Sequence, residues 1–394
     1  MKKISALFLA LLFLLLAGCN TGTHKTDPTT TPMISNLDYN QYTCTHGSWA
    51  QAQDGYYILT DNKRIADSDA VSFLYFMDHN LNCAPLCGRP ECDHQNADCD
   101  ALIDTLGIYY HKDHLYYIST KEFGKRGVYQ MSLTGQDRRL VQSLEFLNAY
   151  ESYGLSTKKC GPYLVVNYEA PDISIGNNQV VYLVSLDNDE PPTCIFGELG
   201  EEDATSYTPW TAKYPWLFVL GAKTEHGYEV LGYNVETQER SLIFNFWSMN
   251  LMDVYASEKE LDWFLMGDGF YRHDLSTGET KKLREADPAV ELGGGAYDDQ
   301  YIYLYNATKG IDDMGVVPAD QRGLHIYDRD GNRVAFISAE GLEHQPSYAF
   351  STADRVFFYD FPSLNKIPCY YIEKDKIPSG ELQWIPIEAG LGEA

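Results

Sequence analysis

Short runs of aromatic and β-branched residues recur along the chain from residue 55 onward. The runs occupy residues 55–59, 114–118, 163–166, 216–220, 262–266, 301–305 and 356–359. Tyr, Trp, Phe, Val and Ile fit a pleated, half-buried surface, and runs this short favour strands over helices. No amphipathic helical pattern extends beyond about ten residues. The pattern therefore predicts an all-β chain.

Each run is followed by a second short strand that ends at a polar turn. Gly or Asn in these turns supplies the positive φ that tight hairpins need. The equivalent positions in these second strands lie 40 to 54 residues apart and are Met77, Met131, Val184, Tyr233, His273, Tyr327 and Ile372. The chain is thus a repeat of one β-hairpin unit.

This repeat predicts a single β-propeller, because about 40 to 50 residues build one four-stranded blade. Seven hairpin units predict seven blades, and the short step of 40 residues leaves six or eight open. A blade cannot bury both of its faces alone and needs neighbours on each side. Closure of the ring by a strand near Trp49 or Trp384 is one expectation. Two stacked β-sandwiches are the alternative architecture.

The first 19 residues have the pattern of an export signal. Lys2 and Lys3 precede an apolar run over residues 4–16, which is too short to span a bilayer. The sequence Leu-Ala-Gly-Cys at 16–19 resembles the lipobox of bacterial lipoproteins. That resemblance implies that Cys19 carries lipid and anchors the protein to the outer face of the cell membrane. An ordinary secretory signal with a chance cysteine is the alternative.

The predicted domains are a signal peptide over 1–19, a flexible Thr-rich tether over 20–37 and the propeller over 38–394. Thirty basic residues stand against 56 acidic ones, so the formal net charge is −26. This balance excludes a nucleic-acid binder and argues against docking on anionic lipid through basic side chains. The expected partners are the bilayer, through the acyl anchor, and a protein or glycan ligand.

Four of the nine cysteines crowd into residues 83–99 together with His94. Cys87, Cys92, His94 and Cys99 supply the thiolate and imidazole donors that a structural zinc site uses, although their spacing departs from the common C-x₂-C pattern. Because the chain is predicted to be exported, local disulfides that include Cys83 are favoured over metal or free thiols. In each case the expected role is structural.

The stretch with Leu86, Cys87, Pro90, Cys92, His94, Cys99 and Ala101 follows a Tyr-rich first blade. It resembles exported propeller lipoproteins of Gram-positive anaerobes, which are similar to TolB-like and YncE-like propellers. The resemblance covers essentially the whole mature chain. It implies a surface-exposed ligand or partner binder without an established reaction. The remaining cysteines fall outside this pattern and favour additional disulfides: Cys44, Cys83, Cys160, Cys194 and Cys369.

Known catalytic motifs are absent from the sequence, including Gly-x-Ser-x-Gly, His-Glu-x-x-His and a phosphate-binding glycine loop. A carbohydrate hydrolase or lyase with carboxylates in the propeller funnel is the enzymatic alternative. A metal- or redox-responsive role for the Cys/His stretch is a second. Trp210, Tyr214 and Trp216 lie in or beside a long insertion and are candidates for stacking on a ligand, with packing against a blade as the alternative. Asp298 and Asp299 are predicted to be solvated loop charges.

Overall fold

A computed structural model describes residues 47–61, 72–95, 98–105, 107–119, 124–145, 147, 155–169, 179–197, 206–223, 227–246, 251–265, 267–286, 295–305, 322–342, 345–361 and 367–387. The predicted leader with Cys19, the tether and Cys44 lie outside these residues. Residues 170–178 and 306–321 also lie outside them.

The described strands form seven separate antiparallel sheets, and each sheet is one blade built from consecutive strands. Blade 1 consists of β1 (Trp49–Gln51), β2 (Gly55–Asp61), β3 (Ser72–Asp78), β4 (Cys83–Pro85) and β5 (Leu102–Ile103). Blade 2 consists of β6 (Ile108–His111), β7 (His114–Ser119), β8 (Gly127–Ser132) and β9 (Arg139–Ser143). Blade 3 consists of β10 (Ser156–Cys160), β11 (Tyr163–Glu169), β12 (Gln179–Ser185) and β13 (Thr193–Phe196).

The remaining blades repeat this arrangement of four strands. Blade 4 consists of β14 (Ser206–Lys213), β15 (Trp216–Lys223), β16 (Gly227–Asn234) and β17 (Arg240–Phe246). Blade 5 consists of β18 (Leu251–Ala256), β19 (Glu260–Leu265), β20 (Gly269–Asp274) and β21 (Thr280–Glu285). Blade 6 consists of β22 (Gly295–Tyr297), β23 (Tyr301–Tyr305), β24 (Gly323–Asp328) and β25 (Arg333–Ser338). Blade 7 consists of β26 (Gln345–Ser351), β27 (Arg355–Phe361), β28 (Tyr370–Glu373) and β29 (Ile385–Pro386).

The chain is therefore a seven-bladed propeller, as predicted, and neither six or eight blades nor two stacked sandwiches occur. The first strands of neighbouring blades lie against one another, as β1 does against β6 and β14 against β18. The first strand of a blade is therefore the one nearest the axis of the ring. The residues that the structure describes include one short 3₁₀ helix, Lys374–Lys376, and no α-helix. Among them, no helix has the length and hydropathy needed to cross a bilayer.

The aromatic runs found in the sequence are the second strands of the blades, not the first. In blade 2, for example, Leu115 of β7 pairs with Met131 of β8, and both side chains are fully buried. The second and third strands bury residues on both faces, because a neighbouring blade covers each side. An outer strand such as β21 is largely exposed and charged. The two middle strands of each blade were therefore the ones that the hydrophobic pattern detected.

The third strands end at the polar turns that the sequence predicts, at Asp78, Ser132, Ser185, Asn234, Asp274, Asp328 and Glu373. Several of these residues use their own side chain to close the turn. Asp274 Oδ1 accepts hydrogen bonds from the backbone N–H groups of Ser276, at 2.8 Å, and Thr277, at 2.9 Å. Asp328 Oδ1 does the same with Asp330 and Asn332. Such turns hold the chain as it leaves a blade's third strand.

A buried ion pair joins blades 6 and 7. Lys374 Nζ lies 2.7 Å from Asp298 Oδ2, and both side chains are almost fully buried. The Tyr303 hydroxyl donates to the same Asp298 oxygen at 2.7 Å, and the backbone N–H groups of Gln300 and Tyr301 donate to the other oxygen. The prediction of a solvated charge is therefore wrong for Asp298, because the ring brings Lys374 from the next blade onto it. Asp299 remains half exposed.

A second ion network joins blades 5 and 6. Arg272 forms a two-bonded pair with Asp262, with Nε and Nη2 each 2.9 Å from a carboxylate oxygen. Arg329 of blade 6 donates to the same buried carboxylate, and its guanidinium lies 3.9 Å from the centre of the Tyr255 ring. Two arginines thus surround one buried carboxylate, with an aromatic ring beside them, and link the two blades.

Among the described strands, blades 1 and 7 lend none to each other, and side-chain contacts join the two blades. Trp49 of β1 stacks on Phe350 of β26 with ring centres 4.3 Å apart, and Tyr56 packs against Phe350 and Phe357. The proposed strand exchange at Trp49 or Trp384 is therefore wrong, since each of these residues lies in its own blade or beside it. The buried cluster at this joint, here called the closure cluster, contains Trp49, Tyr56, Ile58, Phe73, Tyr75, Met77, Cys83, Cys99, Ala101, Leu102, Phe350, Phe357, Ile367 and Ile387.

Replacing Lys374 by Met should destabilise the protein, because the Asp298 carboxylate would remain buried without its cation. The expected loss in the free energy of unfolding is about 3 kcal/mol. Urea unfolding followed by far-ultraviolet circular dichroism measures it. Lys376→Met is the matched control, because Lys376 pairs with the exposed Asp375 in the same turn and should cost under about 1 kcal/mol. Equal losses for the two variants would contradict the prediction.

Candidate metal centre

The outer strand of blade 1 is split into two short pieces. Both β4 and β5 pair with β3, with Pro85 opposite Tyr75 and Leu102 opposite Phe73. The chain leaves the sheet after β4 and returns to the same edge at β5. Residues 86–101, here called the Cys/His loop, make this excursion. Their two ends are therefore held close together before any cross-link forms within the loop.

The Cys/His loop brings its four predicted ligands together. One ligand atom from each of Cys87, Cys92, His94 and Cys99 lies within 4.8 Å of the other three. Cys99 Sγ lies 3.5 Å from His94 Nδ1. Zinc bonds of about 2.0 to 2.3 Å in a tetrahedron place ligand atoms about 3.5 to 3.8 Å apart. The four donors are thus a set that a metal ion can draw together with small side-chain movements. Among the described residues, no other set of three or more His, Cys, Asp or Glu converges in this way.

Tight turns in the backbone aim these side chains inward. The N–H of Cys87 donates to the carbonyl of Pro85 at 2.9 Å, and the N–H of Cys92 donates to the carbonyl of Arg89 at 3.1 Å. His94 has φ of 58°, in the left-handed region that L-residues rarely adopt. A left-handed residue reverses the local direction of the chain. It turns the imidazole back towards Cys99.

Arg89 brings a positive charge to the sulfur atoms. Its Nη2 lies 3.7 Å from Cys92 Sγ, and its Nη1 donates to Asp98 Oδ2 at 2.9 Å. Zinc with three thiolates and a neutral imidazole carries a net charge of −1, by the formal charges of the ligands. The Arg89 guanidinium offsets that charge, and Asp98 fixes the orientation of the guanidinium. The spacing of the cysteines and the histidine along the chain gave no indication of this contact between Arg89 and Cys92.

The thiols of the loop differ in their proton affinity. Burial alone would raise the pKa of Cys87, but hydrogen bonds from the backbone N–H groups of Arg89 and Asp100 and from the side chains of Cys92 and Arg89 lower it below its usual value. Burial raises the pKa of Cys99 to about 12. Burial also raises the pKa of Cys83 to about 12, and Cys83 lies in the closure cluster. Cys87 is therefore the thiol most easily ionised of these three.

Disulfides do not join any of the seven cysteines that the structure describes. The preference for disulfide stapling over metal is thus not supported among these residues. Three other cysteines lie apart from the Cys/His loop: Cys160 approaches the carbonyl of Trp216, Cys194 that of Phe196 and Cys369 that of Phe358.

The three residues predicted to stack on a ligand have different environments. Trp210 is only 9% exposed and packs against Trp263 of blade 5. Trp216 is half-buried and packs against the apolar cluster that contains Trp210 and Trp263. Tyr214 is the exposed member, and its hydroxyl donates to Glu236. Packing against a blade therefore accounts for both tryptophans, and the ligand-binding role of the three stays a prediction.

No protein-family model and no curated protein matches the chain. Solved structures match it at the level of the fold. A prolyl endopeptidase aligns with a TM-score of 0.55 and 10% identity over 88% of this chain and 50% of its own. A puromycin hydrolase aligns with a TM-score of 0.54 and 10% identity over 90% of this chain and 55% of its own. The chain thus spans about half the length of these two enzymes.

TolB from Acinetobacter baumannii aligns with a TM-score of 0.39 and 12% identity, over 70% of this chain and 61% of its own. That score is too low to carry an argument about TolB itself. All of these identities are low, so the likeness concerns the fold alone. The propeller expected from the sequence resemblance is confirmed by the blades themselves. The lipoprotein and its Gram-positive origin stay predictions.

Proposed function

We propose that the protein is a ligand- or partner-binding propeller held outside the cytoplasmic membrane by a lipid on Cys19. The observation that carries this proposal is the ring of seven blades with no catalytic motif in the sequence. Aromatic and aliphatic side chains of the middle strands are used for packing between blades. Loops at the ends of such a ring are free to bind, because the blades fix their positions.

The acidic character of the chain supports this location and role. A net charge of −26 keeps the globule soluble and repels anionic lipid and nucleic acid. Attachment through an acyl chain needs no basic surface. The proposed partner is an exported protein or an envelope glycan. The fold likeness to a prolyl endopeptidase and a puromycin hydrolase does not extend this proposal to hydrolysis.

We also propose that the Cys/His loop holds a structural Zn²⁺. Thiolate and imidazole are the donors that zinc prefers, and four protein ligands leave no open position for substrate. The ends of the loop are fixed on β3, so the unbound loop already approaches the bound shape. The mostly polar loop otherwise has few buried side chains to hold it. A closed site of this kind stabilises the fold and does not perform chemistry.

The anchor predicts that Cys19→Ser abolishes lipid attachment. The wild-type protein should take up labelled fatty acid in cells and partition into the detergent phase of a Triton X-114 extract, whereas the variant should do neither. Cys44→Ser is the control, because it removes another cysteine of the mature chain and should leave both results unchanged. Labelling of the Cys19→Ser variant would contradict the anchor.

Binding is tested with the mature full-length chain immobilised on beads. Envelope polysaccharides and solubilised envelope proteins from the producing cells are applied separately. We expect saturable retention from one of the two, competed by free propeller. If neither fraction is retained, or if free propeller does not compete, the result counts against the binding proposal. Release of shortened glycan products would instead support the alternative of a carbohydrate hydrolase or lyase.

The metal site predicts about one zinc per chain in protein purified without reductant. Elemental analysis and thiol titration before and after denaturation measure it. Cys87→Ser and Cys92→Ser should each lose most of the zinc, since a structural site needs all of its ligands. Cys194→Ser is the matched control and should keep it, because Cys194 lies in blade 3. Zinc-free protein without titratable thiols would show disulfides and contradict the proposal.

A further inference from the structure

The Cys/His loop lies beside the joint where the ring closes. Cys99 and Ala101 of the loop are buried in the closure cluster together with Trp49 and Phe350. Cys87 and Cys92 pack against the same cluster. Three of the four metal ligands therefore share one continuous block of side chains with the contact between the first and last blades.

The loop is also fastened on its other side, to blade 2. Arg138, in the turn between β8 and β9, donates from Nη1 to the carbonyl of Leu102 at 3.0 Å and from Nη2 to the carbonyl of Asp100. The backbone at Gly88 also lies close to the end of the Gln136 side chain of blade 2. The loop is thus in contact with blade 2 as well as with the closure cluster.

These contacts determine what a metal would stabilise. Fixing Cys99 fixes the start of β5, because the N–H of Leu102 donates to the carbonyl of Cys99 at 3.0 Å. The position of β5 fixes its pairing with Phe73 of β3, and Phe73 belongs to the closure cluster. A change at the metal ligands therefore reaches Trp49 and Phe350 through buried, directly packed residues.

We infer that metal binding at the Cys/His loop and closure of the ring between blades 1 and 7 are thermodynamically coupled, so that the metal acts as the clasp of the propeller. The inference rests on the proposed zinc site. In a propeller whose first and last blades share a strand, backbone hydrogen bonds join those two blades. This chain has side-chain packing there. The clasp strengthens the one joint that chain connectivity does not support.

Thermodynamic coupling is reciprocal, so a change that loosens the joint between blades 1 and 7 must also weaken the binding of the metal. Phe350→Leu removes the ring that stacks on Trp49, keeps the site apolar and touches no metal ligand. We expect its dissociation constant for Zn²⁺, measured by competition with a chromophoric chelator, to rise at least about fivefold. Tyr56→Leu, at the same joint, should act in the same direction and guards against misfolding of one variant.

Phe264→Leu is the matched control. Phe264 is fully buried and packs on Phe270, with ring centres 4.8 Å apart, in the cluster between blades 5 and 6. It should lower the stability of the protein and leave the zinc affinity unchanged. If zinc affinity depended only on overall stability, Phe350→Leu and Phe264→Leu would lower it equally. That result would overturn the inference.

Hydrogen exchange gives the complementary measurement on the wild-type full mature chain. Removing zinc with a chelator should speed amide exchange in β1, β5 and β26 at least about fivefold and leave β15 and β19 unchanged. Acceleration confined to residues 86–101 would overturn the inference while leaving the zinc site intact. A wild-type chain without zinc would instead contradict the proposed site, so the two failures are distinguishable.

Discussion

The ring depends on the packing of Trp49 against Phe350, because the first and last blades meet here and none of the described strands is shared between them. Each other pair of neighbouring blades is consecutive in the chain, so connectivity keeps their faces close. Apolar burial and aromatic stacking hold blade 1 to blade 7, and the Arg355 guanidinium adds a long hydrogen bond to the carbonyl of His79. Tyr56, Phe357, Ile367 and Ile387 extend that contact. The ring is closed only while this joint holds.

Buried ion pairs contribute at two other joints, between blades 5 and 6 and between blades 6 and 7. Asp298 with Lys374, and Asp262 with Arg272 and Arg329, bury carboxylates that are fully paired with cations. Burying charge is costly unless it is paired, so an intact pair adds little to the net free energy of folding, whereas removal of one partner is strongly destabilising.

Much of the fold follows from the sequence, because the second strand of each blade is largely buried between neighbouring blades and forms an apolar run. The ends of the third strands, from Asp78 to Glu373, follow as well, because Asp, Asn and Ser close the turns there. The outer strand β21 is largely charged and the inner strand β22 has three residues, so neither stands out in the sequence. The pairing of Asp298 with Lys374 depends on the ring and has no local signal.

The candidate site was predictable in its residues and not in its chemistry. Cys87, Cys92, His94 and Cys99 are close in sequence, so their clustering needs little of the fold. The choice between metal and disulfides depends on where the ends of the loop are held and on the position of Arg89 beside Cys92. Contacts from blade 2, such as that of Arg138 with Leu102, come from residues distant in the chain.

Building each blade from consecutive strands has a consequence for biosynthesis. Strand pairing within a blade is local, so a growing chain completes one sheet after another with little loop-closure entropy. The face of blade 1 that carries Trp49, Tyr56 and Tyr75 must wait for blade 7, whose strands begin at Gln345. That aromatic surface is the first to form and the last to be covered. During synthesis it is the surface most open to aggregation, and a holding chaperone would have the most reason to bind it.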